Sequence, residues 1–189
     1  MLNVHHIVNQ TSAEGPGVRC CVWLQGCSIH CEGCFAKDTW SFSDKMLMNP
    51  SDIINQMRSA EEGITICGGE PFDQKEGLAE LLCLAWKKGA STVLYTGHTY
   101  ESLQKMQDKH VETILSHTDI LIDGPFIQTL SSTEIPLVGS SNQRLRFLTK
   151  RYSPKDIQAN KIEIRIKKNG TFSINGMADY KIIQELSTF

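Results

Sequence analysis

The decapeptide GCSIHCEGCF, residues 26–35, places Cys27, Cys31 and Cys34 within eight residues and supplies no adjacent fourth thiol. Thiolates at this spacing are metal ligands by type, and a structural zinc centre or an iron–sulfur cluster ordinarily takes about four. Three imply either a distant partner or a position left open. A zinc knuckle would draw its fourth ligand from Cys67, Cys20, Cys21 or His30, with Cys67 the best placed at the end of a neighbouring strand. His30 suits that role poorly, because side chains adjacent in extended backbone point apart. A cubane iron–sulfur cluster suits the tight loop better, since it receives thiolates at separate corners. One iron then stays open, as catalytic metal sites do. A second segment, CGGEPF at residues 67–72, sets two glycines beside a carboxylate. Backbone there can approach a ligand closely, and carbonyls or the carboxylate can accept from an ammonium.

The remaining composition sets the compartment in which those thiols work. A chain of 189 residues has room for one domain with a real core. Its net charge of −2 gives no electrostatic reason to expect nucleic acid or an anionic membrane as partner. No apolar run reaches the ~20 residues that cross a bilayer. The first residues, MLNVHHIVNQTSAEGPG, lack the basic start and apolar stretch of a signal peptide. The expected location is therefore the cytoplasm, where thiols stay reduced. Seven cysteines, an odd number, read there as ligands or small buried hydrophobes rather than disulfides.

Short apolar runs alternate with helical patterns along the chain. VRCCVWLQ (18–25), GITIC (63–67), STVLYTG (91–97), DILIDG (119–124) and LRFLT (145–149) read as strands. NPSDIINQMRSA opens a helix on Asn49 or Ser51, QKEGLAELLCLAWKKG is an amphipathic helix closed by Gly89, and YESLQKM starts a third. KIEIRIKKNGTFSING alternates in period two about Asn169–Gly170, a hairpin signal. Such an order predicts an α/β fold of about five or six mainly parallel strands with a C-terminal hairpin. That is too few for a closed eight-stranded barrel, which takes ~250 residues, so the expectation is an open, partial barrel. The whole of 1–189 reads as one domain, with 1–17 as lead-in and 160–176 as hairpin. Ligands gather at the C-terminal ends of parallel strands, which puts residues 27–34, 68–72, 96–99 and 123–126 on one rim.

The residues on that rim carry a resemblance. CSIHCEGC followed by Phe35 is similar to the CxxxCxxC-aromatic loop of the radical S-adenosylmethionine (SAM) enzymes, and CGGEPF on the next strand strengthens the likeness. EGPGVR, KDTW, YTGHTYE, DGPF and GSSNQR further resemble landmarks of the glycyl-radical activating group, in particular the activators of anaerobic ribonucleoside-triphosphate reductase. Pyruvate formate-lyase activating enzyme shares the GPG-R and TW landmarks more loosely. The likeness runs from about residue 9 to 147; WLQGC and CFAKDTW depart from the commoner local forms.

The resemblance implies that Cys27, Cys31 and Cys34 hold a [4Fe-4S] cluster whose open iron chelates SAM. It implies that Gly68, Gly69, Glu70 and Pro71 line the methionine end of SAM and that Phe35 packs near adenine. Thr96, Asn142 and Arg144 are further expected SAM contacts, with His98 and Asp123 as weaker ones. Arg19 is expected either to pair with a carboxylate near the cluster mouth or to be an edge-strand charge. Trp40 and Phe42 are either a docking segment or a satellite core. Cys20, Cys21, Cys67 and Cys83 read as core. The implied reaction is one-electron cleavage of SAM to methionine and a 5′-deoxyadenosyl radical, which takes hydrogen from a glycine of a large partner, most naturally an anaerobic ribonucleotide reductase. The reductant would be a one-electron donor such as flavodoxin or ferredoxin. Two other readings stay open: a radical SAM enzyme acting on a small molecule or peptide, and a noncatalytic metal-binding or electron-transfer module.

Overall fold

Strands covered on both faces need apolar residues at odd and even positions alike, and runs of that kind form the centre of the sheet. The computed structural model describes residues 1–166, 168–170 and 172–177. In chain order its elements are β1 (Leu2–Thr11), β2 (Arg19–Leu24), β3 (Leu47–Met48), α1 (Pro50–Gln56), β4 (Gly63–Gly68), α2 (Lys75–Lys87), β5 (Ser91–Thr96), α3 (Tyr100–Lys105), α4 (Lys109–Ser116), β6 (Ile120–Asp123) and β7 (Arg144–Phe147). A separate antiparallel hairpin follows, β8 (Ile162–Ile166) with β9 (Phe172–Gly176).

The seven-stranded sheet runs β3-β1-β2-β4-β5-β6-β7. Strands β2, β4, β5 and β6 are parallel, while β1 and β3 on one side and β7 on the other are antiparallel. The strand order is linear, with β3 and β7 as its ends. Alternation sorts the central strands cleanly. Cys20, Val22, Leu24, Ile64, Ile66, Leu94 and Leu121 pack with α1, α2 and α4 in the main core. On the other face, Val93, Ile120 and Ile122 pack with Leu137 and Val138 of the β6–β7 connection and with Leu145 and Phe147 of β7.

Several details differ from the sequence reading. Residues 2–11, read as lead-in, form the longest strand: Leu2 and Val4 are fully buried, but His5 and His6 break the apolar pattern that would announce it. Helix α4 was not foreseen either; Asp108 caps it by accepting from the His110 N–H at 2.8 Å. The fifth foreseen strand, β7, pairs antiparallel with β6. Arg19 neither lies at an edge nor faces the cysteines. It starts the central strand β2, at the end opposite the cysteine loop, with 0% exposure. Its guanidinium donates to the Thr65 hydroxyl at 2.7 Å, the Pro16 carbonyl at 3.0 Å, the Ile64 carbonyl at 2.8 Å and both oxygens of Ser91. Burial lowers its pKa, and the neighbouring Tyr152 and Glu62 oppose that shift. This is a structural clasp across β2, β4 and β5.

Candidate iron–sulfur site

The C-terminal tips of β2, β4, β5 and β6 meet at one rim, and backbone contacts fix their spacing. At the tip of β4, the Gly69 N–H donates to the Leu24 carbonyl at 2.9 Å and the Glu70 N–H to the Gly26 carbonyl at 2.8 Å. The glycines are required by this approach. A Cβ on Gly69 would stand 1.9 Å from the Gly26 carbonyl oxygen, and one on Gly68, where φ is +103°, 2.5 Å from the Leu24 nitrogen. The residue clipped in this way directly precedes Cys27.

Glu70 joins the next tip. Its carboxylate, 1% exposed, accepts from the Phe72 N–H at 2.9 Å, the Thr96 hydroxyl at 2.8 Å and the Gly97 N–H at 2.9 Å. Burial pushes its pKa up to about 7, against the pull of those donors. Glu70 and Thr96 therefore bind each other, tying β4 to β5, and Pro71 lies buried at the start of the short 3-10 turn that Glu70 caps.

The cysteine loop turns through left-handed backbone at His30 (φ 52°) and Gly33 (φ 74°). Cys27 is buried and Cys31 and Cys34 are half-buried. Burial pushes the Cys27 and Cys31 thiols up. Backbone N–H groups of His30 and Ile29 oppose this at Cys27, and the Phe126 N–H does so at Cys31, each favouring the thiolate. All three cysteines line one cavity of about 120 Å³ together with Gly68, Gly69, Glu70 and Thr96. Cys20 points to the helix side of the sheet, while the Cys21 and Cys67 sulfurs lie 3.4 Å from each other, buried. His30 stacks on Trp40 with ring centroids 4.7 Å apart. Among the described residues no three His, Cys, Asp or Glu side chains converge to hold a single metal ion. Three soft thiols spread around one recess, without a fourth, fit a cubane with a separate thiolate at each of three corners.

Other foreseen residues lie elsewhere. Phe35 lines an adjoining cavity of about 190 Å³, its ring 5.4 Å from that of Phe126. Asn142 donates to the Pro125 carbonyl at 2.7 Å and leaves its Oδ1 buried and, among the described residues, unpartnered. Asp123 is fully buried and accepts from the Tyr100 N–H at 2.8 Å, from Arg146 at 2.8 Å and from Arg144. Arg144 is thus held by Asp123 and Glu101, outside the residues that line either cavity. His98 gives its carbonyl to the Gly124 N–H at 2.9 Å. Phe42 is 61% exposed, and Trp40 lines the cysteine cavity.

Tyr95 and Gln143 line it too and lie outside the four rim segments expected from the sequence, whereas Ile29, Gly97, Gly124 and Phe126, which also line it, fall inside them. Gln143 clamps the rim, donating to the Gly124 carbonyl at 3.0 Å and accepting from the Gly139 and Ser140 N–H groups at 3.0 and 3.2 Å. Tyr95 had a signal in the sequence, since it alternates with Leu94 and so shares the face of Val93.

Residues 13–146 match the family of 4Fe-4S single cluster domains. The anaerobic ribonucleoside-triphosphate reductase-activating protein of Pasteurella multocida (strain Pm70) is 31% identical over 141 residues, 69% of this chain and 87% of that protein. The protein of the same name from Salmonella typhimurium (strain LT2) is 30% identical over 146 residues, 71% and 92% of the two chains. That of Escherichia coli (strain K12) is 28% identical over 158 residues, 78% and 99%. The chain belongs to the 4Fe-4S single cluster family and to the family of these activating proteins. The matched span contains the cysteine loop, the Gly68–Gly69 tip and Gln143, and it ends before the C-terminal hairpin. Among the described residues no helix is long and apolar enough to cross a membrane.

Proposed function

We propose that this chain is a radical SAM enzyme that generates a glycyl radical on an anaerobic ribonucleotide reductase, with Cys27, Cys31 and Cys34 as the protein ligands of a [4Fe-4S] cluster. The observation that carries the reading is the shared recess: the three thiols and the Gly68–Gly69 tip line one cavity in a chain of the single-cluster family. In this reading the seven-stranded sheet is the wall of a partial barrel, with the recess at its mouth.

The cluster, when bound, supplies the electron that splits the SAM sulfonium into methionine and a 5′-deoxyadenosyl radical, which takes hydrogen from the partner. The chain's own groups prepare the place. Backbone N–H groups of Ile29, His30 and Phe126 offset the burial that keeps Cys27 and Cys31 protonated, so the thiols can give up protons to metal. Gly68 and Gly69, whose lack of a Cβ lets this tip close on Leu24 and Gly26, line the recess and would present main chain to the methionine end of SAM. Glu70 holds the β4 and β5 tips at a fixed separation through Thr96 and Gly97. Phe35, Phe126 and Ile29 supply apolar walls that exclude water from a reactive intermediate. Asn142 and Arg144 flank Gln143 in sequence but line neither half of the recess, Asn142 being bound to the Pro125 carbonyl and Arg144 to Asp123 and Glu101.

The test is electron paramagnetic resonance after anaerobic incubation of reconstituted protein with SAM, a one-electron donor such as flavodoxin or ferredoxin, and the anaerobic reductase of the same genome. 5′-Deoxyadenosine is assayed in parallel. A glycyl-radical doublet on the reductase is expected. Deoxyadenosine with no doublet would send the substrate assignment to a different peptide or small molecule. An intact cluster with neither product would make the chain a noncatalytic module.

A further inference from the structure

The recess has a second chamber, and part of its wall comes from beyond the family match. The cavity of about 190 Å³ shares Cys34, Gly68, Tyr95, Phe126 and Gln143 with the cysteine cavity, so the two are neighbouring halves of one space. Gly176 and Met177, at the end of the β8–β9 hairpin, line this second half, whereas the match ends at residue 146.

The hairpin is seated by a row of polar contacts to the N-terminal segment. Glu163 accepts from the Ser12 N–H at 2.7 Å, and Arg165 donates to the Asn9 and Gln10 carbonyls at 2.8 and 3.0 Å. Asn175 donates to the Thr11 hydroxyl at 2.9 Å, and the Gly176 N–H to the buried Glu14 carboxylate at 3.0 Å. A Cβ on Gly176 would lie 2.0 Å from the Lys161 carbonyl oxygen and 2.9 Å from the Ala13 Cβ. The end of β9 is thus held flush against the chain that precedes β2.

Two wall residues carry buried polar atoms with no partner among the described residues, Trp23 Nε1 and Tyr95 Oη. Buried polar groups are nearly all paired in native proteins, so two orphans in the wall of one chamber mark a site completed by something else. Both can donate. The chamber's one carboxylate, Glu14, is engaged by Gly176, and the rest of the lining is apolar or uncharged. Such a lining suits an uncharged ligand rich in acceptors, which describes the carbonyls of a main-chain segment with little side chain.

We propose that Gly176 and Met177 complete a substrate chamber that admits a main-chain segment of a partner protein, with Trp23 and Tyr95 as the donors that meet its carbonyls. This rests on the activation reading and adds to it the residues that select the hydrogen donor. Both orphan atoms are buried in the free chain, so seating of the segment requires the chamber wall around them to yield. The hairpin is therefore the specificity element of the enzyme.

The test compares the cluster-loaded parent with Met177→Trp, Met177→Leu and Tyr95→Phe, using SAM, reductant and the anaerobic reductase of the same genome as substrate. Filling the chamber in Met177→Trp misplaces the hydrogen donor and lowers glycyl radicals formed per 5′-deoxyadenosine about tenfold or more. Met177→Leu restores the ratio. Loss of one buried donor in Tyr95→Phe raises KM for the reductase roughly 3- to 10-fold. The same variant melts about 2–4 °C higher, because an unpaired hydroxyl has been removed from the interior. A parent that cleaves SAM but forms no glycyl radical defeats the activation reading and this proposal with it. A parent that activates normally, beside a Met177→Trp protein of equal coupling or a Tyr95→Phe protein of equal KM, overturns the chamber proposal alone.

Discussion

Replacing Gly69 by alanine tests whether the rim geometry is set by backbone contact. The added Cβ would stand 1.9 Å from the Gly26 carbonyl oxygen and 2.7 Å from its carbon, both main-chain atoms that no rotamer change can move. One tip must retreat, and the two hydrogen bonds that join them, at 2.9 and 2.8 Å, weaken together. Overpacking costs about 1–3 kcal/mol, and two hydrogen bonds add about 0.5–1.5 kcal/mol each at most. A total of roughly 2–6 kcal/mol lowers the melting temperature of a domain this size by about 4–24 °C. Displacing Gly26 also displaces Cys27 beside it, so iron bound per chain after reconstitution falls. Gly89→Ala is the control: φ there is +77°, but nothing lies within 4 Å of the new Cβ. It costs only the left-handed strain, about 1–2 kcal/mol, and leaves iron content alone. Thermal melting and iron analysis on the same preparations decide the matter. A Gly69→Ala protein that melts within ~2 °C of the parent and binds parental iron would refute the clip.

Further predictions address the ligands and the buried charges. Cys27→Ala, Cys31→Ala and Cys34→Ala each lose the visible iron–sulfur absorption after reconstitution, whereas Cys83→Ala, whose sulfur lies 3.8 Å from His117 Nε2, keeps it. Arg19→Lys loses the fan of contacts to Pro16, Ile64, Thr65 and Ser91. It lowers unfolding free energy by about 3–5 kcal/mol in denaturant titration, with iron content retained. Asp123→Ala leaves Arg144 and Arg146 without their buried partner, and a loss of about 2–4 kcal/mol is expected in the same assay, below the limit for a pair buried on both sides. Glu14 is fully buried and burial raises its pKa from 4.5 to about 7. The folded state therefore holds the proton more tightly than the unfolded chain. Stability from this group falls as pH rises from about 4.5 to about 7, by on the order of 3 kcal/mol. His6, lowered to about 4 by burial, acts in the opposite sense, losing stability as pH drops from about 6.5 toward 4. The difference between Glu14→Gln and parent isolates the carboxyl: the variant gains stability at pH 8 and not at pH 4.5, as read by melting temperature.

The central parallel strands were legible because burial on both faces favours apolar or β-branched residues at every position, as in Val22–Leu24 and in Ile64–Ile66, where the one polar residue is the β-branched Thr65. β1 was not, because only Leu2, Val4 and the partly buried Ile7 face the helix-side core, and His5 and His6 interrupt the apolar pattern. The direction of β7 is not encoded in LRF at all. It follows from the connection after β6, which carries only the three-residue 3-10 turn Gln128–Leu130 and no crossover helix. The cysteine loop and the Gly68–Gly69 tip were legible from spacing and from their place after consecutive strands. The partners on the neighbouring tips required three dimensions: Glu70 finds Thr96 and Gly97 across 26 and 27 residues of sequence.

Arg144 shows what alternation can still decide once a strand is placed. In RLRF, Leu145 and Phe147 pack on the face of Val93, Ile120 and Ile122, the same face from which Tyr95 reaches the recess. Arg144 and Arg146 must then point the other way, toward α3, and they do: Arg146 lies over the Tyr100 ring at 5.0 Å and both bind Glu101. Gln143, one residue earlier, precedes the strand and falls on the recess side, where it clamps Gly124. A polar run ahead of a strand therefore contributes to a ligand cavity or to a lateral ion-pair strut according to one step of register. On this argument Gln143→Ala loosens the rim by freeing the Gly124 carbonyl and two N–H groups. Arg144→Ala instead acts through Asp123, which keeps Arg146 and the Tyr100 N–H. Under the proposed function the two are separated by SAM affinity measured on reconstituted protein. Gln143→Ala weakens it more than Arg144→Ala, and the reverse order would mean that Arg144 leaves Asp123 to meet the ligand.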